Sequence, residues 1–163
     1  MKNIVRMAAL AAAATIAATP AWAQVAADPI GRARVNVIKP LSLEAEQDLH
    51  FGNVIVWDAG TVQIDRTTGN ITCPATLECD LTGIVAQYRV RGTNGYTVTV
   101  NTSGSLLSNG TTDLSFTPSG PGTVPLTNSG QSGVVFNVGG QVVIPANATA
   151  GLYVGDMDVT VNY

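Results

Sequence analysis

From Ile38 to Phe51 the chain alternates in character. Odd positions carry Leu41, Leu43, Ala45, Gln47, Leu49 and Phe51, and even positions carry Ser42, Glu44, Glu46, Asp48 and His50. Successive side chains of a strand point to opposite faces, so this stretch predicts a strand with an apolar inner face and an acidic outer stripe, interrupted at Gln47. Val54 to Trp57 and Thr61 to Asp65 read as two more short strands separated by Asp58-Ala59-Gly60. Tyr88 and Val90 on one side of Thr93-Asn94-Gly95, and Tyr96, Val98 and Val100 on the other, predict a hairpin, because Asn-Gly readily adopts the positive dihedrals of a tight turn.

The second half repeats the pattern. Asn109-Gly110 lies between Leu106-Leu107 and Leu114/Phe116 and predicts another hairpin, and Pro118 to Ser132 reads as a long loop with a fragment of strand around Val124–Leu126. Val134–Val138 and Val142–Ile144 read as strands broken by Gly139-Gly140. Met157, Val159, Val161 and Tyr163 alternate with Asp156, Asp158, Thr160 and Asn162, with Tyr153 and Gly155 extending the inner series. Eight or so short strands at this spacing predict an all-β fold, a β-sandwich, with one domain and no internal repeat.

Composition supports the strands. After residue 23 the chain holds 19 Val, 17 Thr and 17 Gly; branched side chains suit a pleated sheet and glycine suits its turns. Residues 1–23 have the organisation of a secretory signal peptide: Lys2 and Arg6, an apolar run from Met7 to Thr19, and Ala21-Trp22-Ala23 before Gln24. The run is too short for a permanent span. The remaining 140 residues (163 − 23) keep all 11 acids and six of eight bases, a charge of 6 − 11 = −5. That balance argues against nucleic acid and against an anionic membrane surface as partners.

Cys73 and Cys79 are separated by five residues, and in an exported chain they predict a structural disulfide. A redox pair usually has two intervening residues, and a zinc site needs more ligands than His50 can add. His50, the single imidazole, shares the outer stripe with Glu44, Glu46 and Asp48, so a serine nucleophile lacks an evident base. The acidic pairs alternate along straight strands, unlike calcium loops, and Arg89/Arg91 are expected to balance acidic stripes on neighbouring strands, as are Arg32/Arg34. No enzyme, cofactor or metal reading is assembled. Four Asn-x-Thr/Ser matches, at Asn70, Asn101, Asn109 and Asn147, carry no weight in a chain so rich in these residues.

Residues 24–37 form a second period-two stripe: Val25, Ala27, Pro29, Gly31, Ala33, Val35 and Val37 against Ala26, Asp28, Ile30, Arg32, Arg34 and Asn36. It has the pattern of a strand in search of a partner. The partner is either this domain's own sheet or the sheet of a neighbouring copy, completed by strand addition.

Ala150-Gly151-Leu152-Tyr153-Val154-Gly155, followed by alternating valines and a terminal aromatic, resembles the last strand of chaperone–usher pilins and related spore-coat-type pilus subunits. With Pro40-Leu41-Ser42-Leu43, Asp48-Leu49-His50-Phe51-Gly52, Val138-Gly139-Gly140 and Ile144-Pro145-Ala146, the chain also looks like a family of secreted bacterial proteins known only as a domain of unknown function. The resemblance spans Ile38 to Tyr163. It implies an immunoglobulin-like sandwich lacking a strand, whose groove a periplasmic chaperone fills before another subunit's N-terminal extension replaces it at an outer-membrane usher. Gly151, Tyr153, Val159, Val161 and Tyr163 would then form the last strand that meets chaperone or subunit. Val25, Ala27, Gly31, Ala33, Val35 and Val37 would form the donor face. Two features depart from that pattern: Cys73 and Cys79 are close in sequence rather than joining early strands, and the extension runs into the first strand without a linker.

The resemblance implies a structural subunit of an extracellular, pilus-like filament, exported to the periplasm and cell surface. One rival is a self-contained secreted adhesion module contacting a surface through the Pro118–Ser132 loop. Another is an outer-membrane barrel, which alternation and a terminal aromatic also suit. Short strands and eight aromatics after residue 23 fit poorly with the girdles that a membrane insertion would need.

Overall fold

A computed structural model describes residues 31–127 and 132–163. The expected leader (1–23), Val25, Ala27 and Asn128–Gln131 of the expected loop lie outside the described residues. In chain order the strands are β1 (Ser42–Gln47), β2 (Val54–Val56), β3 (Gly60–Ile64), β4 (Ile71–Thr72), β5 (Leu77–Cys79), β6 (Ala86–Arg91), β7 (Thr97–Gly104), β8 (Leu107–Ser108), β9 (Asp113–Ser119), β10 (Thr123–Pro125), β11 (Val134–Ile144) and β12 (Met157–Asn162). The described residues contain no helix. Residues 31–35 form no strand and are exposed; Asn36–Tyr163 is one compact unit.

The larger sheet runs β1-β6-β11-β3-β4, with β9 also on β11 and β8 on β9; a second sheet is β10-β7-β12, and β2 and β5 form a two-stranded ribbon. Among the described residues the sheets end in edges rather than closing into a barrel. Between them Val90, Phe136 and Val138 meet Val98, Val100, Val124 and Leu126, all buried. A second cluster gathers Val62, Leu77, Leu114, Val142 and Ile144 near the ribbon. The period-two valines of β7 and β11 create these clusters by sending alternate side chains inward.

The Asn94-Gly95 turn is not a hairpin. β6 is bonded to β1 and β11 while β7 is bonded to β10 and β12, so the turn carries the chain from one sheet to the other. Both flanks of each strand are already occupied, and the turn is held by Gly95 N–H donating to Leu126 O at 2.8 Å. The Asn109-Gly110 turn does join paired strands, β8 and β9.

Gly139 and Gly140 do not break a strand. β11 is continuous, pairing with β6 through Val134–Val138 and with β9 and β3 through the following residues. A Cβ at Gly139 would collide with Ile64 O and lie 2.8 Å from Arg66 N, and one at Gly140 would lie 2.9 Å from Thr117 O. The two glycines let three backbones converge, which is why β11 traverses both core clusters.

The first strand is also shorter than its alternation suggests. It stops at Gln47, after a register shift between Ala45 and Gln47, and Gln47 Nε2 satisfies its inward position by donating to Val85 O at 2.7 Å. Beyond it only His50 bridges across, to Ile84. On the outer face Arg89 pairs with Glu46 at 2.6 Å and Arg91 with Glu44 at 2.9 Å.

Candidate functional site

β1 ends the larger sheet and β12 ends the smaller one, as β4 and β10 do at their other ends, and each is bonded along one side only among the described residues. The inward side chains of β1 and β12, Leu43, Met157, Val159 and Val161, are only half-buried although they pack on the central cluster. An edge that offers unpaired N–H and C=O groups beside incompletely buried apolar side chains is a template for another strand.

Past the ends of these strands the walls separate into a groove of about 1000 Å³. One wall is the stretch 48–56, the other 148–157, and Leu114, Phe116, Val142 and Ile144 floor it. Phe51 stands edge-on to Phe116 at 5.9 Å. Around the groove Trp57 is 73% exposed, Leu152 78%, Val154 63% and Ile55 55%. Exposed large apolar side chains of this kind are what interaction surfaces are commonly built from.

The first wall is braced from behind. Val54 pairs with Cys79 in the β2–β5 ribbon, and Cys79 is bonded to Cys73 at 2.04 Å, closing a loop six residues apart in sequence. Asn53 Nδ2 donates to Asp80 Oδ2 at 2.6 Å. The amide and hydroxyl of Thr82 donate to the same carboxylate at 3.0 and 2.8 Å. These Thr82 bonds, with Asn53, bring the Asp80 pKa down from 3.8 to about 2. Gly52, at φ 81°, turns beside this carboxylate, where a Cβ would overlap Asp80 Oδ1. His50 Nδ1 accepts from Gly52 N–H at 3.0 Å, a local turn contact.

The second wall is hung on the β8 region. Ser108 and Val154 exchange backbone bonds of 2.8 and 3.0 Å, and Ser105 N–H donates to Asp156 O at 3.0 Å. Tyr153 O–H donates to Thr149 O at 2.8 Å and lies 3.0 Å from Thr112 Oγ1. Those threonine contacts lower the tyrosine's pKa.

At the opposite end the sandwich is closed. Tyr163 O–H donates to Lys39 O at 2.6 Å and accepts from Thr93 N–H at 2.7 Å, with its ring edge-on to Tyr96 at 5.5 Å. Lys39 is thus fixed at one end of the unit while the groove opens at the other.

Electrostatically the groove is acidic. Asp48, His50 and Asp156 are among its lining residues, which include no Lys or Arg. Tyr88, also in the lining, has its pKa raised by burial first and then by the charges of Asp48 and Asp158.

Of the last-strand residues, Val159 and Val161 lie in β12 and Tyr163 directly follows it. Gly151 and Tyr153 belong instead to the preceding wall, because Val154 is bridged to Ser108 and regular pairing with β7 starts only at Met157. Of the donor-face residues, Gly31, Ala33, Val35 and Val37 form no strand, Val35 and Val37 being 87% and 83% exposed. Sequence reading missed Phe51, Phe116 and Ile144 as groove residues and Trp57 as an exposed neighbour.

Searches of curated proteins and of solved structures return no match. The family described as "Domain of unknown function (DUF4402)" matches residues 41–163, covering the whole sandwich from β1 to the terminal tyrosine, and the chain belongs to that family.

Proposed function

We propose that the chain is a structural subunit of an extracellular pilus-like filament, in which a strand from one copy fills the groove of the next. The observation that carries the reading is the pair of free edges on β1 and β12 with an apolar groove continuing between their walls. An inserted strand supplies the missing backbone partners and covers Leu43, Met157, Val159 and Val161. At about 0.8 kcal/mol per buried CH₂, that burial is worth on the order of 10 kcal/mol before the inserted strand's ordering cost. Because Lys39 is tied at the end away from the groove, donor and acceptor surfaces are different, and a heterologous contact of this kind extends rather than closing. Before assembly a periplasmic chaperone would occupy the same groove, and an outer-membrane usher would exchange it for the next subunit.

The test is assembly of the chain comprising residues 24–163, followed by light scattering and electron microscopy, beside a variant lacking residues 24–34. Filaments from the first and none from the second are expected. A full-length chain that stays a stable monomer, or a truncated one that still polymerises, refutes the reading and favours the self-contained adhesion module.

A further inference from the structure

Charge at the groove goes beyond the need for an apolar strand. Of the six cations after residue 23, Arg89 and Arg91 neutralise Glu46 and Glu44 on the outer face of β1. Arg66 adjoins Asp65, and Lys39 sits at the Tyr163 end. The acidic stripe of β1 nevertheless continues to Asp48, which lines the groove, Asp156 lines its other wall, and Asp158 follows two residues on, exposed in β12. None of these three carboxylates has an ion-pair partner among the described residues. The remaining cations, Arg32 and Arg34, occur two residues apart on the polar side of the apolar stripe 24–37, and both are exposed.

We propose that Arg32 and Arg34 of one copy pair with the Asp48, Asp156 and Asp158 carboxylates of the next, and that this ion ladder fixes the register of the inserted strand. The proposal rests on the strand-exchange reading above. Residues two apart on a strand share a face about 7 Å apart, so Arg32/Arg34 has the spacing of Asp156/Asp158 on an adjacent strand. With Gly31, Ala33 and Val35 turned inward, the two guanidiniums lie outward beside the carboxylates. Slipping the strand by one residue turns both arginines into the apolar floor, and slipping it by two leaves one carboxylate of the pair unmatched. Small residues such as Gly31 and Ala33 distinguish these registers weakly; the charges distinguish them strongly.

The test uses the chain comprising residues 24–163 in four forms: wild type, R32E/R34E, D48K/D158K, and R32Q/R34Q. The arm-reversed form leaves the sandwich untouched, so it reports even if the groove-reversed form folds poorly. Assembly rates are followed by light scattering from 20 to 500 mM salt. Each reversed form alone should assemble about 10-fold more slowly than wild type at low salt. An equal mixture of the two should recover, because reversed arms then meet reversed grooves. The wild-type rate should fall with salt, and the rate of an R32Q/R34Q chain should not. Reversed forms that assemble at the wild-type rate with unchanged salt dependence overturn the ion ladder and leave strand exchange standing. A wild type that never assembles overturns both.

Discussion

Removing one oxygen from Tyr163 tests how the closed end of the sandwich is held. In Tyr163→Phe the ring keeps its edge-on contact with Tyr96, at 5.5 Å, but the hydroxyl's donation to Lys39 O at 2.6 Å and acceptance from Thr93 N–H at 2.7 Å are lost. All these groups lie at the surface, where water replaces part of each bond. A net contribution near 1 kcal/mol per hydrogen bond gives a loss of about 1–2 kcal/mol. For a unit of this size that is a fall in Tm of roughly 4 °C per kcal/mol. Urea and thermal unfolding followed by far-ultraviolet circular dichroism measure it, and amide exchange at Thr93 locates it. Tyr96→Phe, which removes only an acceptor for Asn36 Nδ2 at 2.6 Å, should cost less. A Tyr163→Phe chain within about 0.3 kcal/mol of wild type, with Thr93 exchange unchanged, would show that ring packing alone closes this end and that the hydroxyl network is incidental.

Three further outcomes are expected. Replacing both cysteines (Cys73→Ala with Cys79→Ala) removes a short cross-link worth about 2 kcal/mol by chain entropy; urea unfolding should show that loss, with faster exchange at Val54 and Val56, which pair with β5. Gly139→Ala forces a Cβ against the backbones of Ile64 and Arg66 and should cost about 3 kcal/mol, whereas the open Gly122→Ala, constrained only by its φ of 74°, should cost nearer 1 kcal/mol. The folded Asp80 carboxyl titrates at about 2 against an ordinary 3.8, so its stabilisation is complete above pH 4 and is lost as pH falls toward 2. A pH series of unfolding midpoints should lose part of that acid slope in Asp80→Asn, and identical slopes would remove Asp80 from the account.

Strand existence was legible in the sequence wherever alternation persisted for five residues or more, as in β7 (Thr97–Gly104) and β12 (Met157–Asn162). β4 and β5 are two or three residues long, too short to show a period, and are specified by the partners they pair with; β8 and β10, as short, were marked by the Asn109-Gly110 turn and the Val124–Leu126 fragment. Sheet membership was less legible than strand position. Asn94-Gly95 encodes a tight turn but not whether the strands it joins bond to each other, and that depends on neighbours far along the chain. Gly139-Gly140 misled for a related reason, since glycine marks both interruption and close approach of backbones. Val159 and Val161 were legible from their pattern as inward residues of β12, but they do not line the groove. Its floor of Phe116, Val142 and Ile144 was legible only as core, because sequence does not tell a covered core face from an uncovered one.

The continuity of β11 has a mechanical consequence. The strand begins opposite Val90 near the closed end and finishes opposite Gly60 beside the groove, so it ties the two ends of the molecule together through both core clusters. β6 lies antiparallel beside both β11 and β1, so the three share one axis. A pull applied between Lys39 and the groove therefore loads these ladders in shear, where many bonds perpendicular to the strands must yield together, rather than unzipping them one by one. A fibre built from such units would resist tension through the lengthwise run of its strands.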